Sequence, residues 1–241
     1  MIPSAQIALI FDMDNTVLGS HIDFAAIRRA LGAMLREAGA TGESDDALRR
    51  HAIGELVARG AAYDTERGTA MVPRMWAIIT AHETEGLRDA GALDGAPDVL
   101  AALRARGYRL AILTNNSRTG AELALEAAGL AHAAETVVTR DDVPTMKPAS
   151  DGVLEALRRL GGAPPAEAAA GRHEIKTVYV IGDSWIDGAA ARGAGARFIV
   201  YRRDLEELWS RGLRPWRAIK HLAELLEIDF AAGGPGPGPD A

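Results

Sequence analysis

Four short runs of aliphatic and β-branched residues, IALIF (7–11), YRLAILT (108–114), TVYVIG (177–182) and RFIVY (197–201), restrict this chain to few folds. Each is apolar almost throughout rather than at alternate positions, the mark of a strand covered on both faces. A weaker run, ETVVT (135–139), reads the same way. Stretches with helical apolar spacing lie between and after them, at 97–106, 118–129, 149–160, 186–194 and 218–228. Strands alternating with helices describe a doubly wound, parallel α/β sheet. Such sheets bind ligands beyond the carboxyl ends of their strands. Asp12, Thr114 and Asp183 each stand at such an end.

Residues 19–91 break the alternation. They hold no strand-like run, and segments 23–38, 45–59 and 68–86 carry helical spacing, for example Ile27, Leu31, Met34 and Leu35. The stretch reads as an all-helical insertion between the first and second strands, with Ser44 as a helix cap and turns at 41–46 and 60–65. The chain thus divides into a core at 1–18 and 92–230, an inserted helical domain at 19–91, and a disordered tail at 231–241 rich in Gly and Pro. GGAPPAEAAAG (161–171) reads as a surface loop.

Charge and composition remove several function classes. A formal charge of -6 argues against nucleic acid or an anionic membrane as partner. The absence of cysteine excludes thiolate catalysis, cysteine metal sites and disulfides. No apolar run reaches the roughly 18 residues of a membrane span. The opening MIPSAQIALIFD lacks the basic and long apolar regions of a secretion signal, so a cytoplasmic protein is expected. No phosphate-binding P-loop, complete dinucleotide fingerprint or His-Glu-x-x-His pattern is present.

The chemistry gathers at the strand ends. The first run leads into DMDNT, placing Asp12 and Asp14 one residue apart, where burial is costly unless a cation or phosphate is to be bound. The second leads into LTNNS (113–117), with a hydroxyl and amides suited to phosphoryl oxygens. Lys147, one of three lysines in the chain, precedes Pro148 and a helix. The fourth strand leads into GDSWID (182–187), which sets Asp183 and Asp187 one helical turn apart. Paired carboxylates, a hydroxyl, an ammonium and an acidic pair compose a phosphoryl-transfer site with a magnesium cage.

These four motifs resemble those of the haloacid dehalogenase-like hydrolase superfamily. KPASDGVLEALRRLG and GDSWIDGAAARGAGAR further resemble core segments of its phosphoglycolate-phosphatase-like branch, which carries a helical cap after the first motif. The resemblance implies a Rossmann-like core with strand order 5-4-1-2-3. It implies that Asp12 is the nucleophile that becomes an aspartyl-phosphate, and Asp14 the general acid and base. Thr114, the backbone of Asn115, and Lys147 would bind the substrate phosphate. Asp12, the carbonyl of Asp14, and Asp183 would ligate Mg2+, with Asp187 supporting through water. Asn15 departs from the family's usual glycine, and asparagine tolerates the left-handed backbone such a turn requires.

The resemblance also sorts the possible reactions. Dehalogenases of the superfamily lack the second aspartate that Asp14 supplies. The phosphonate-cleaving branch uses a cap lysine, and residues 19–91 contain none. The expected function is a magnesium-dependent phosphatase acting on a small phosphorylated metabolite. A sugar phosphomutase with the same motifs is the alternative, and a non-enzymatic binding or regulatory protein that keeps the fold is a more distant one. A receiver-type phosphoacceptor fits poorly, because it has no helical insert and places its acceptor aspartate after the third strand. Within the cap, His21, Arg49, Arg50, Arg67, Arg74 and Trp76 are candidates for substrate contacts. Monomer and homodimer remain equally open.

Overall fold

The structure is a computed structural model describing residues 2–93, 95–162, 175–203 and 205–232. The loop expected at 161–171 and the tail at 231–241 therefore lie largely outside the described residues. The chain forms two compact units, Met1–Gly19 with Ala90–Ala241, and Ser20–Asp89.

In the first unit the strands are β1 (Ile7–Asp12), β2 (Leu18–Gly19), β3 (Gly91–Ala92), β4 (Arg109–Leu113), β5 (Thr136–Val138), β6 (Thr177–Gly182), β7 (Arg197–Tyr201) and β8 (Arg217–Ile219). Six of them form one sheet in the order β5-β4-β1-β6-β7-β8, and every pairing in it is parallel. All six residues of β1 are buried, which accounts for its unbroken apolarity. The remaining pair, β2 and β3, forms an antiparallel ribbon through which the chain leaves and re-enters this unit.

The sheet differs from the five-stranded order 5-4-1-2-3 by a sixth strand, β8, beyond β7. Residues 218–228, read as a helix, instead supply β8 and a 3-10 turn at Leu222–Glu227. Ile219, Leu222, Leu225 and Ile228 are all buried at a spacing of three. That is the period of a 3-10 helix, and over so short a span it imitates an α-helical stripe. The edge of β7 would otherwise expose unpaired backbone groups. Here Trp216 N donates to Phe198 O (2.6 Å) and Arg202 N to Ile219 O (3.0 Å).

This unit also holds the helices α5 (Ala96–Ala105), α6 (Arg118–Ala127), α7 (Asp151–Arg159) and α8 (Trp185–Gly193). One face of the sheet sends Ala8, Ile10, Ala111, Leu113, Val180 and Val200 against Val153, Ala156 and Leu157 of α7 and Ala190 and Ala191 of α8. By alternation Tyr179 lies on the opposite face. It joins Trp216 and Phe230 in edge-on ring contacts at 5.0 and 4.9 Å, and its hydroxyl donates to Phe230 O at 3.0 Å.

The second unit contains α1 (Phe24–Glu37), α2 (Asp45–Leu48), α3 (Ile53–Arg67) and α4 (Met71–Leu87). Ser44 caps α2 by accepting from Ala47 N at 3.3 Å. Two expectations are corrected here. The segment 45–59 is not one helix but α2 and the start of α3, and the turn read at 60–65 lies inside α3. Gly60 is there for proximity rather than for a turn, since a Cβ on it would stand 2.6 Å from Met75 Sδ on α4. Among the described residues, no helix is long and apolar enough to cross a membrane.

Candidate active site

β1, β4 and β6 are adjacent and parallel, with Asp12 in register with Leu113 and Phe11 with Ile181. Their carboxyl ends therefore deliver Asp12, Thr114 and Asp183 to one edge of the sheet. Beyond β1 the chain turns at once. Asn15 takes φ of 57° and donates from its N to Leu18 O at 2.7 Å, while Val17 N and Leu18 N close onto Met13 O at 3.1 and 2.9 Å. Met13 is fully buried, so alternation puts Asp12 and Asp14 on the opposite side of the chain from it.

The two aspartates have different partners. Asp12 Oδ1 accepts from Lys147 Nζ, and its Oδ2 from Thr16 Oγ1 at 3.3 Å. Asp14 Oδ2 accepts from two neutral donors, Asn116 Nδ2 at 2.8 Å and Thr114 Oγ1 at 3.3 Å. Asp12 thus meets an ammonium on Oδ1, and Asp14 an amide and a hydroxyl on Oδ2.

Lys147, 2% exposed, places its ammonium between Asp12, Asp187 Oδ1 (2.7 Å) and the carbonyl of Leu113 (3.2 Å). Those acceptors use all the protons an ammonium has. Burial would lower its pKa, but Asp12 and Asp187 outweigh that and hold it above the usual lysine range. Its backbone is fixed by Asn115, whose Nδ2 donates to Lys147 O and whose Oδ1 accepts from Lys147 N, both at 2.9 Å. The Asn115 side chain is thereby committed to the Lys147–Pro148 segment, whose peptide bond is cis, and only its backbone is left to meet a ligand.

At the end of β6, Asp187 is fully buried in the first turn of α8. Its Oδ2 accepts from Ser184 N at 3.1 Å and from Ser184 Oγ, and its Oδ1 from Lys147. Gly182 makes the room, because a Cβ there would lie 2.5 Å from Asp187 Cγ. Carboxylate oxygens of Asp12, Asp183 and Asp187 all fall within 4.8 Å of one another, a grouping that could hold a metal ion. Burial, then Asp187, drives the Asp183 pKa up to about 7 against the pull of Arg203 and Lys147. Burial likewise raises Asp12 well above the usual carboxylate range, with Lys147 opposing and Asp187, Asp183 and Asp14 adding to the rise. Four carboxylates around one ammonium carry more negative charge than that ammonium can offset.

The structure therefore brings Asp12, Asp14, Thr114, Asn115, Lys147, Asp183 and Asp187 to one sheet edge. It adds Arg140, and gives Thr16 and Asn116, quoted only within their motifs, partners of their own: Asp12 and Asp14. Arg140 donates from its N to Asn116 O (3.2 Å) and from Nη1 to Asn115 O (3.4 Å), so it braces the loop after β4. Thr16 and Asn116 lie inside quoted motifs, and the polarity of positions so close to a buried strand was the available signal. Arg140 carried none, being one arginine among many. The remaining candidates belong to the helical unit. His21, Arg50, Arg67 and Arg74 are exposed there, Trp76 is half-buried, and Arg49 pairs with Asp46 at 3.1 Å.

A model of haloacid dehalogenase-like hydrolases matches residues 8–195. A phosphoglycolate phosphatase of Rhodospirillum rubrum is 30% identical over 244 residues, covering 97% of this chain and 93% of the relative. A plasmid-borne phosphoglycolate phosphatase of Cupriavidus necator is 31% identical over 196 residues, covering 78% and 77%. Among solved structures, a hydrolase from Pseudomonas syringae is 25% identical with a TM-score of 0.63, covering 91% of this chain and 96% of the other.

Proposed function

The chain belongs to the haloacid dehalogenase-like hydrolase family, in its phosphoglycolate-phosphatase-like branch, and on that premise we propose that it hydrolyses a small phosphorylated metabolite through an aspartyl-phosphate on Asp12. The observation that carries the reading is the contrast between the two aspartates. Asp12 is gripped by the Lys147 ammonium, which opposes the rise that burial and the neighbouring carboxylates impose and so works toward the ionised form a nucleophile needs. Asp14, 7% exposed, accepts on Oδ2 from an amide and a hydroxyl. Two carboxylates in different surroundings suit two different roles.

In the first half-reaction an Asp12 oxygen forms a bond to phosphorus. The bond from phosphorus to the leaving oxygen breaks, its electron pair stays on that oxygen, and the oxygen takes the proton of Asp14. In the second, Asp14 accepts a proton from water as the water oxygen attacks phosphorus, and the pair of the broken bond returns to Asp12. The Thr114 hydroxyl, turning from Asp14 to the substrate, and the backbone N–H of Asn115 hold the equatorial oxygens. Once Asp12 is esterified its charge is gone, and the Lys147 proton bound there turns to a phosphoryl oxygen.

The oxygen-only donor set of Asp12, the Asp14 carbonyl and Asp183 suits a hard divalent cation, Mg2+. The raised pKa values of Asp12 and Asp183 fit this as well, since a cation among the carboxylates reverses the repulsion that raises them. When bound it would offset charge on the phosphoryl group. Asp187, with both oxygens already engaged by Lys147 and Ser184, suits a supporting role rather than a direct ligand. On the same reading, residues 1–18 and 92–230 are the catalytic core, and 19–91 a cap that selects the substrate.

The test is phosphate release from a panel of phosphorylated metabolites, beginning with phosphoglycolate because relatives carry that name. It is run with magnesium and with chelator, against Asp12→Asn as the blank. Chelator-sensitive release that vanishes in the variant, while its melting curve stays native-like, is the expected result. Release by Asp12→Asn near the wild-type rate removes the nucleophile assignment. Interconversion of sugar phosphates without net release would favour a mutase.

A further inference from the structure

We propose that Asn116 is a positioning residue for the proton-transferring group: its side-chain amide holds the Asp14 carboxyl group by Oδ2 and so sets the direction in which that group faces a leaving oxygen. The inference rests on the phosphatase reading above and gives Asn116 a job separate from phosphate binding.

Asn116 is 2% exposed, and its amide nitrogen lies 2.8 Å from Asp14 Oδ2. Thr114 Oγ1 donates to the same oxygen from 3.3 Å. Both donors meet the same one of the two Asp14 oxygens, so the carboxyl group is held through Oδ2. A carboxyl group is nearly two-fold symmetric about its last torsion, which is soft unless a donor fixes it. The longer Thr114 contact alone holds that torsion weakly. Asn116 holds it better because its own backbone is pinned at both ends. Its N donates to Thr114 Oγ1 at 3.1 Å, and its O accepts from Arg140 N at 3.2 Å. The amide therefore reaches Asp14 from a fixed base one residue beyond the loop that holds Lys147.

A residue that aims a general acid affects a reaction only where the leaving group needs the proton. An alkoxide departing from an alkyl phosphate is strongly basic and needs it. The 4-nitrophenolate ion departs without it. The experiment compares Asn116→Leu, which keeps the approximate shape but has no donor, with wild type on ethyl phosphate and 4-nitrophenyl phosphate, both with magnesium. The quantity read is the ratio of initial release of ethanol to that of nitrophenolate. Both rates come from one preparation, so the ratio does not depend on how much of the variant is folded.

Wild type turns over both substrates, and the ratio falls at least about tenfold in Asn116→Leu, within the 10²–10⁴-fold that general acid catalysis commonly supplies. An unchanged ratio, including an equal loss of both activities, overturns the positioning role and leaves the phosphatase reading intact. Failure of wild type on both substrates and on the metabolite panel overturns the phosphatase reading and the inference with it.

Discussion

Replacing Gly182 by alanine tests how tightly the site is assembled. Gly182 ends β6 without a left-handed φ, so its glycine is required by space rather than by backbone conformation. A methyl group there would meet Asp187 Cγ at 2.5 Å, Oδ2 at 2.6 Å and Cβ at 2.7 Å. Asp187 has no room to retreat, being fully buried and bonded to Lys147 at 2.7 Å and to Ser184 N at 3.1 Å. Overpacking a filled site costs about 1–3 kcal/mol. Weakening one hydrogen bond to a charged group adds up to about 1.5–3 kcal/mol. Partial relaxation brings the expected total to about 3 kcal/mol. For a chain of this length each kcal/mol lowers the melting temperature by about 2–4 °C, so Gly182→Ala should melt about 6–12 °C below wild type. Melting is followed by circular dichroism in the presence of chelator, with Gly42→Ala as control. Gly42 has no atom within 4 Å of a built Cβ and no left-handed φ, and its replacement should stay within about 0.5 kcal/mol of wild type. If Gly182→Ala melts within about 2 °C of wild type, the close packing of Asp187 on β6 is wrong.

In the helical unit, Gly60→Ala should cost less than Gly86→Ala in urea unfolding, although the substitution is identical. A Cβ at 60 meets the flexible end of Met75 at 2.6 Å, whereas at 86 it meets the backbone N and Cα of Ile22 at 2.5 Å, which cannot swing aside. A third stability measurement concerns pH. Glu155 accepts two bonds from Arg158 and one from Arg159, which lower its pKa to about 2 from 4.5. A group depressed on folding stabilises the native state above its unfolded pKa, and that contribution fades as pH falls through the folded value. The melting-temperature gap between wild type and Glu155→Gln should therefore be constant above about pH 5 and close between about pH 4.5 and 2. A gap that widens on acidification would contradict the assignment.

The layered core was readable because its strands are buried on both faces and so announce themselves as continuous apolar runs. The sheet edge was not. β8 is three residues long, and its strand character comes from the open side of β7 rather than from its own side chains. Gly60 misled for a related reason. A glycine that brings two helices together and a glycine that turns the chain look alike in sequence, and only Met71 and Met75 on the facing helix tell them apart.

At the site, the residues whose chemistry is unusual for their position stood out: carboxylates at a buried strand end, and one of only three lysines in a chain rich in arginine. What the sequence does not encode is the pairing between them. Asp12 and Asp14 are neighbours in the chain, yet their charges are handled by donors 135 and 102 positions away, Lys147 and Asn116. Likewise the two adjacent asparagines, Asn115 and Asn116, diverge. One locks the backbone of Lys147 and the other reaches Asp14, because the loop turns between them and Arg140 braces both carbonyls from behind. Residue types therefore indicate phosphoryl-transfer chemistry, while the division of labour between the two aspartates depends on which strand end each donor approaches from.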